Sequence, residues 1–176
     1  RVIFNYLNML HDYAEKNKLK ARFNATPQEL GLTPEMSTKI LDMFDKALLL
    51  ADNDTIRDRV ERAAISALCA YIETCRGEAI YNNGKLNYNS SPRYIDAVKR
   101  YIDYSKKHNM TYSIEDEPPF FPTIANEYLK EISIYEQGGR NAARIENNFW
   151  RITLLPDEDA KIVDMLYKPT NANMLS

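Results

Sequence analysis

Apolar positions recur with the helical period in five separate stretches of the chain, divided by short polar or proline-containing breaks. In the first, Ile3, Tyr6, Leu7, Leu10, Tyr13 and Ala14 share one face, and Lys16 to Lys20 crowd the expected C-terminal end, where positive charge suits the helix dipole. A connection containing Pro27 and Gly31 follows. Thr33 and Pro34 then give a second helix a cap and a first residue, ahead of a stripe of Met36, Ile40, Met43, Phe44, Ala47, Leu48 and Ala51. After the break Asp52-Asn53-Asp54, a third stripe runs from Ile56 to Cys75, with small residues at its centre that permit close helix approach. So short a connection predicts that the second and third helices form a hairpin.

Asn82-Asn83-Gly84 and Asn87 to Ser91 mark a loop, and Asn83-Gly84 would also suit a small hairpin. Ser91-Pro92 repeats the cap-then-proline start, and Tyr94, Ile95, Val98, Tyr101 and Ile102 define a fourth helix ending near Asn109. Glu115 to Pro122 is expected to be a rigid, non-helical crossing. A fifth helix carries Ile124, Tyr128, Leu129, Ile132 and Tyr135 and stops at Gly138-Gly139. Beyond it the period changes to two, with Trp150, Ile152 and Leu154 to one side of a strand, a turn at Pro156 to Asp159, and a second strand from Lys161 to Lys168. The pattern predicts a mainly α fold: a bundle of about five helices over residues 1–138, then a short C-terminal β-hairpin over 139–176 that opens a truncated β-sandwich domain.

Composition narrows the function classes. The 176 residues are 44% hydrophobic and 27% charged, ordinary values for a globular domain. A net charge of −2 lacks the basic footprint of a nucleic-acid binder. Arg57, Arg59 and Arg62 interleave with Asp58 and Glu61, which predicts a solvated helix face. No apolar run approaches the roughly 18–20 residues of a membrane span. The start at Arg1 rather than Met suggests a mature or excised segment. Cys69 and Cys75 are too few for a disulfide framework and are expected to be buried free thiols.

No nucleophile elbow, phosphate-cradling loop or dinucleotide fingerprint occurs, and five glycines leave little room for one. The run Glu115-Asp116-Glu117 lacks the spacing of a calcium loop, and His11 and His108 belong to no paired metal motif, so a surface or helix-end role is expected for both. No catalytic residue, cofactor or metal ligand is assigned. Tyrosine is abundant, at 12 residues. Tyr81, Tyr88, Tyr112, Phe120 and Phe121 lie off the helical stripes, where an aromatic face can either stack on sugar rings or pin its loop to the core. The sequons at Asn24, Asn53, Asn89 and Asn109 are short enough to arise by chance.

Tyr6 to Asp12, Leu32-Thr33-Pro34 through Ala51 with its Phe44-Asp45-Lys46-Ala47, and Arg59 to Ala63 resemble the helical region that follows the barrel in bacterial proteins of the DUF4838 family. That family is similar to α-glucuronidases and other carbohydrate-active enzymes. The resemblance covers roughly Tyr6 to Ser105. Asn148 to Pro156, Lys161 to Met165 and Thr170 to Leu175 look like the opening hairpin of galactose-mutarotase-like β-sandwich domains, although Asp159-Ala160 stands where those often carry two glycines. The resemblance implies a secreted, periplasmic or cell-surface protein that handles polysaccharide, its acid and base carboxylates on a barrel preceding Arg1. The expected function is a non-catalytic scaffold module whose partners are other domains of the same polypeptide and polysaccharide. The alternative is a stand-alone interaction module of the tetratricopeptide or solenoid kind, against which no repeat of about 34 residues is visible. An enzyme acting within this segment is the least supported reading.

Overall fold

The computed structural model describes residues 2–19, 26–110 and 120–175, with side chains placed for all of these except Val2 and 120–126. Among them are five helices and seven strands. The helices are α1 (Val2–Asn17), α2 (Pro34–Leu49), α3 (Asp54–Thr74), α4 (Pro92–Lys107) and α5 (Phe120–Glu136). The strands are β1 (Ala79–Asn82), β2 (Lys85–Tyr88), β3 (Arg140–Asn141), β4 (Ala143–Glu146), β5 (Trp150–Leu155), β6 (Lys161–Tyr167) and β7 (Ala172–Asn173). They form two antiparallel sheets, ordered β1-β2-β3 and β4-β5-β6-β7. A helical bundle with a short hairpin is therefore the wrong description. Strands of two to four residues, such as β3, β4 and β7, are too short to carry a period of their own and form because a neighbouring backbone edge is there to pair with.

The chain divides into two compact units. The first comprises Arg1–Arg76 and Ser91–Asn126, and the second Gly77–Ser90 and Glu127–Ser176. In the first unit the helix starts obey local chemistry. Thr33 Oγ1 accepts from the Met36 N–H, Asn53 Oδ1 from Ile56, and Ser91 Oγ from Tyr94, each satisfying one of the orphan donors at a helix start. The core lies where α2, α3 and α4 pack together, around Ile40, Leu41, Phe44, Ala64, Leu68, Ile72, Tyr94 and Val98. Ala64 and Ala67 are fully buried, as the small-residue stripe anticipates. Outside the core, Arg93 pairs with Asp42 and Asp45, and Arg100 with Asp45.

Helix α1 is held differently. None of its described residues is fully buried, and Phe4 and Leu7 are 64% and 55% exposed. It meets α2 through an aromatic contact, the Tyr6 ring standing edge-on to Phe44 at 5.2 Å between centroids. Farther along, Tyr13 donates its hydroxyl to the Gly31 carbonyl at 2.7 Å.

The second unit begins with the Asn83-Gly84 hairpin, both turn residues at positive φ as a two-residue turn demands. Phe120, Phe121 and Pro122 belong to the first turn of α5 rather than to a non-helical crossing. A proline there deletes an N–H that has no acceptor within the helix. The rest of that predicted crossing, with Glu115 to Glu117, lies outside the described residues. Helix α5 ends as expected, Gly138 and Gly139 both at positive φ and the Gly139 N–H returning to the Ile134 carbonyl at 2.8 Å.

Sheet β4–β7 buries the face of β5 opposite to its apolar alternation. Thr153 and Leu155 are buried, while Trp150, Ile152 and Leu154 are half-buried. A register irregularity between Thr153 and Leu154 accompanies this. Trp150 is covered by its own hairpin partner, its ring 4.9 Å from that of Tyr167. On the buried side, Arg144 Nε donates to Thr153 Oγ1, whose hydroxyl donates on to Asp164, and Asp164 also accepts from Arg151. The small core of this unit joins Leu86, Ala142 and Leu155, with Tyr81 and Val163 packed against it.

Candidate functional site

Each loop aromatic singled out in the sequence has a definite position or lies outside the described residues. Tyr81 sits on β1, half-buried against the Leu86–Ala142–Leu155 core, with the Arg144 guanidinium 4.2 Å above its ring. One ring face is thus engaged by a cation from within the protein. Tyr88 is half-buried on β2, next to the loop that leads to α4. Tyr112 lies outside the described residues, as do the side chains of Phe120 and Phe121.

Clefts formed by described residues open in both units, one in the first unit being lined by Asp45, Leu48, Arg57, Arg100 and Tyr104, among others. In the second unit a polar cleft of about 350 Å³ is lined by Lys85, Arg140, Asn141, Asp157 and Glu158, among others. Its polar groups satisfy one another: Lys85 Nζ donates to Asn141 Oδ1 at 2.8 Å, Asn141 Nδ2 donates to Asp157 at 2.8 Å, and Arg140 pairs with Glu158. In the first unit an apolar pocket of about 200 Å³ is lined by Leu10, Tyr13, Ala14, Leu19, Leu30 and Leu32.

The one constellation of metal-ligating side chains among the described residues joins α3 to the end of α4. Asp58 and Glu61 stand three positions apart on α3, hence on one helix face, and His108 is the C-cap of α4. Glu61 is buried, so the charged stretch around it is not the uniformly solvated face that its alternation suggests. His108 Nε2 lies 4.0 Å from Asp58 Oδ1 and 4.0 Å from Glu61 Oε2. The side chain of His108 is 7% exposed, and its Nε2 has no hydrogen-bond partner. Lys107 reaches the same carboxylates, its Nζ 2.5 Å from Glu61 Oε2 and 3.1 Å from Asp58 Oδ1. Hydrogen bonds to Glu61 and then Asp58 hold the Lys107 ammonium above the ordinary lysine range. By contrast His11, the other histidine, is exposed on α1.

Sequence reasoning reaches the helix-end position of His108 but not this meeting of groups. Lys107 and Glu61 are 46 residues apart, and only the packing of α3 on α4 brings them together. The one local signal is the i, i+3 spacing of the two acids.

The cysteines behave as free thiols, both half-buried. Burial, aided by the nearby Glu73 charge, pushes the Cys69 thiol up, and desolvation raises the Tyr101 phenol that hydrogen-bonds to it. A thiol shifted upward is a poor nucleophile near neutral pH. No described helix is long and apolar enough to cross a membrane. Comparison with family models, curated proteins and solved structures returns no match for this chain.

Proposed function

We propose that this chain is a non-catalytic accessory module of a larger bacterial carbohydrate-processing protein, a relative of the DUF4838 kind, working at the cell surface, in the periplasm or outside the cell. The observation that carries the reading is α1, an amphipathic helix whose stripe is nowhere fully buried and which presents Phe4 and Leu7 to solvent. An amphipathic helix gains most of its stability from burying its apolar face, and a face left open suits contact with a neighbouring domain of the same polypeptide. The C-terminal hairpin adds support. Asp159 and Ala160 both lie at positive φ, the conformation that paired glycines would supply in the turn of a galactose-mutarotase-like domain. Polysaccharide is the expected substrate of the whole protein, and its acid and base carboxylates belong to the barrel that the resemblance places before Arg1. The solenoid alternative gains no support, because the β1–β2 hairpin falls between α3 and α4 and interrupts the run of helices.

The test is the double substitution of Phe4 and Leu7 by Asp. In this chain alone it should change stability by no more than about 0.5 kcal/mol, as exposed positions do. In the longer natural protein it should lower the melting temperature. A longer protein as stable as the wild type would remove the basis of the reading.

A further inference from the structure

We propose that Asp58, Glu61 and His108 bind a divalent transition-metal ion of the zinc type, which takes the place of the Lys107 ammonium and fastens α3 to the end of α4. The inference begins from charge. Two carboxylates share one small volume, and Glu61 keeps only 12% of its side chain exposed. A single ammonium cancels one of the two negative charges, whereas a dication cancels both.

The imidazole supplies the second, independent observation. The His108 side chain is more than nine-tenths buried, and its Nε2, turned toward both carboxylates, has no hydrogen-bond partner. A buried ring nitrogen without a donor or acceptor is rare, and the dominant alternative use of that lone pair is metal ligation. The three donor atoms all lie within 4.8 Å of one another. Tetrahedral bonds of about 2.0–2.2 Å place donors about 3.3–3.6 Å apart, so each 4.0 Å imidazole–carboxylate edge has to close by less than about 1 Å. Rotation of Asp58, about half exposed, closes one edge, a small turn of the Glu61 carboxylate closes the other, and Lys107, also about half exposed, is free to swing its ammonium out to water.

The donor set selects the ion. One imidazole with two carboxylates suits zinc and its transition-metal neighbours, while magnesium and calcium call for all-oxygen shells. Three protein ligands leave one coordination position for water, on the open side where Asp58 faces solvent.

The experiment is calorimetric titration of the whole chain, stripped with chelator, with Zn2+ alone, and a parallel Co2+ titration read by visible absorption. The expected result is one zinc per chain, and a cobalt spectrum with ligand-field bands and no thiolate charge transfer. His108→Gln and Glu61→Gln should each weaken binding by about tenfold or more, since even removing a group behind a ligand has effects of that size. Lys107→Met, which keeps all three ligands and removes the competing cation, should tighten binding severalfold. The proposal is overturned by absence of saturable zinc binding, by wild-type affinity in a folded His108→Gln variant, or by thiolate bands that place the metal on Cys69 or Cys75. If His108→Gln does not fold, Lys107→Met decides: tighter binding supports the site, and unchanged or weaker binding overturns it.

Discussion

Removing the two rings that join α1 to α2 measures how firmly α1 is held. Phe44 has no exposed surface and lies at the centre of the α2–α3–α4 core, so Phe44→Ala should cost about 3–5 kcal/mol. Tyr6 meets that ring edge-on at 5.2 Å but is itself only half-buried. Covering about half of a ring worth roughly 150 Å² removes about 75 Å² from water, or about 2 kcal/mol at 25 cal/mol/Å². Compaction of the unfolded chain lowers this by about 10–40%, which leaves about 1–2 kcal/mol for Tyr6→Ala. The double variant should fall short of additivity by about 0.5–1.5 kcal/mol, the size of one ring–ring contact. Urea unfolding followed by circular dichroism gives all three values from one set of curves. If Tyr6→Ala proved as costly as Phe44→Ala, α1 would be a full member of the core, and the claim that its stripe awaits another domain would fail.

Other consequences concern the second unit and the alkaline limb of stability. Gly139 has φ +95° and an added Cβ would sit 2.8 Å from the Leu86 carbonyl oxygen, so Gly139→Ala should cost at least about 1–3 kcal/mol in a thermal melt. At Gly138, where φ is +72° but nothing lies within 4 Å, the same change should cost only about 1 kcal/mol, and equal losses would refute the steric argument. Ala160, at φ +56°, predicts the reverse sign, with Ala160→Gly stabilising by about 0.5–1 kcal/mol; a loss of stability would contradict the turn assignment. Cys69, Tyr71 and Tyr101 all titrate above their ordinary ranges, chiefly through desolvation. Their stabilising effect is complete below the unfolded thiol and phenol values and is lost as pH rises from there through the folded ones. The urea midpoint should therefore fall above about pH 9 and fall less in Tyr101→Phe, so that a profile flat to pH 11 would contradict the shifts.

What the sequence made legible was local. Thr33-Pro34, Asn53 and Ser91-Pro92 place three helix starts, because a cap is chemistry between residues three apart. Gly138-Gly139 places a helix stop for the same reason. The β1–β2 hairpin was open to view through Asn83-Gly84, but β3, β4 and β7 were not, since two to four residues contain too few alternations to define a face. Periodicity also left open which face of β5 is the buried one. Its apolar side is half-exposed, while Thr153 is buried because Arg144 and Asp164 hydrogen-bond it. The cluster at Asp58, Glu61 and His108 depends on α3 meeting α4, a tertiary event that no window along the chain contains. Of the aromatics off the helical stripes, Tyr81 stands on β1 and packs on Leu86 and under Arg144, contacts set by strand pairing that no local window along the chain contains.

The proposed accessory role requires further domains in the same polypeptide, so the reading frame around the sequence tests it most directly. Sequencing outward from both ends should reveal a barrel-type alternation of strands and helices with paired carboxylates ahead of Arg1, and further β-sandwich strands after Ser176. A frame with no barrel pattern and no paired acids before Arg1 would contradict the account.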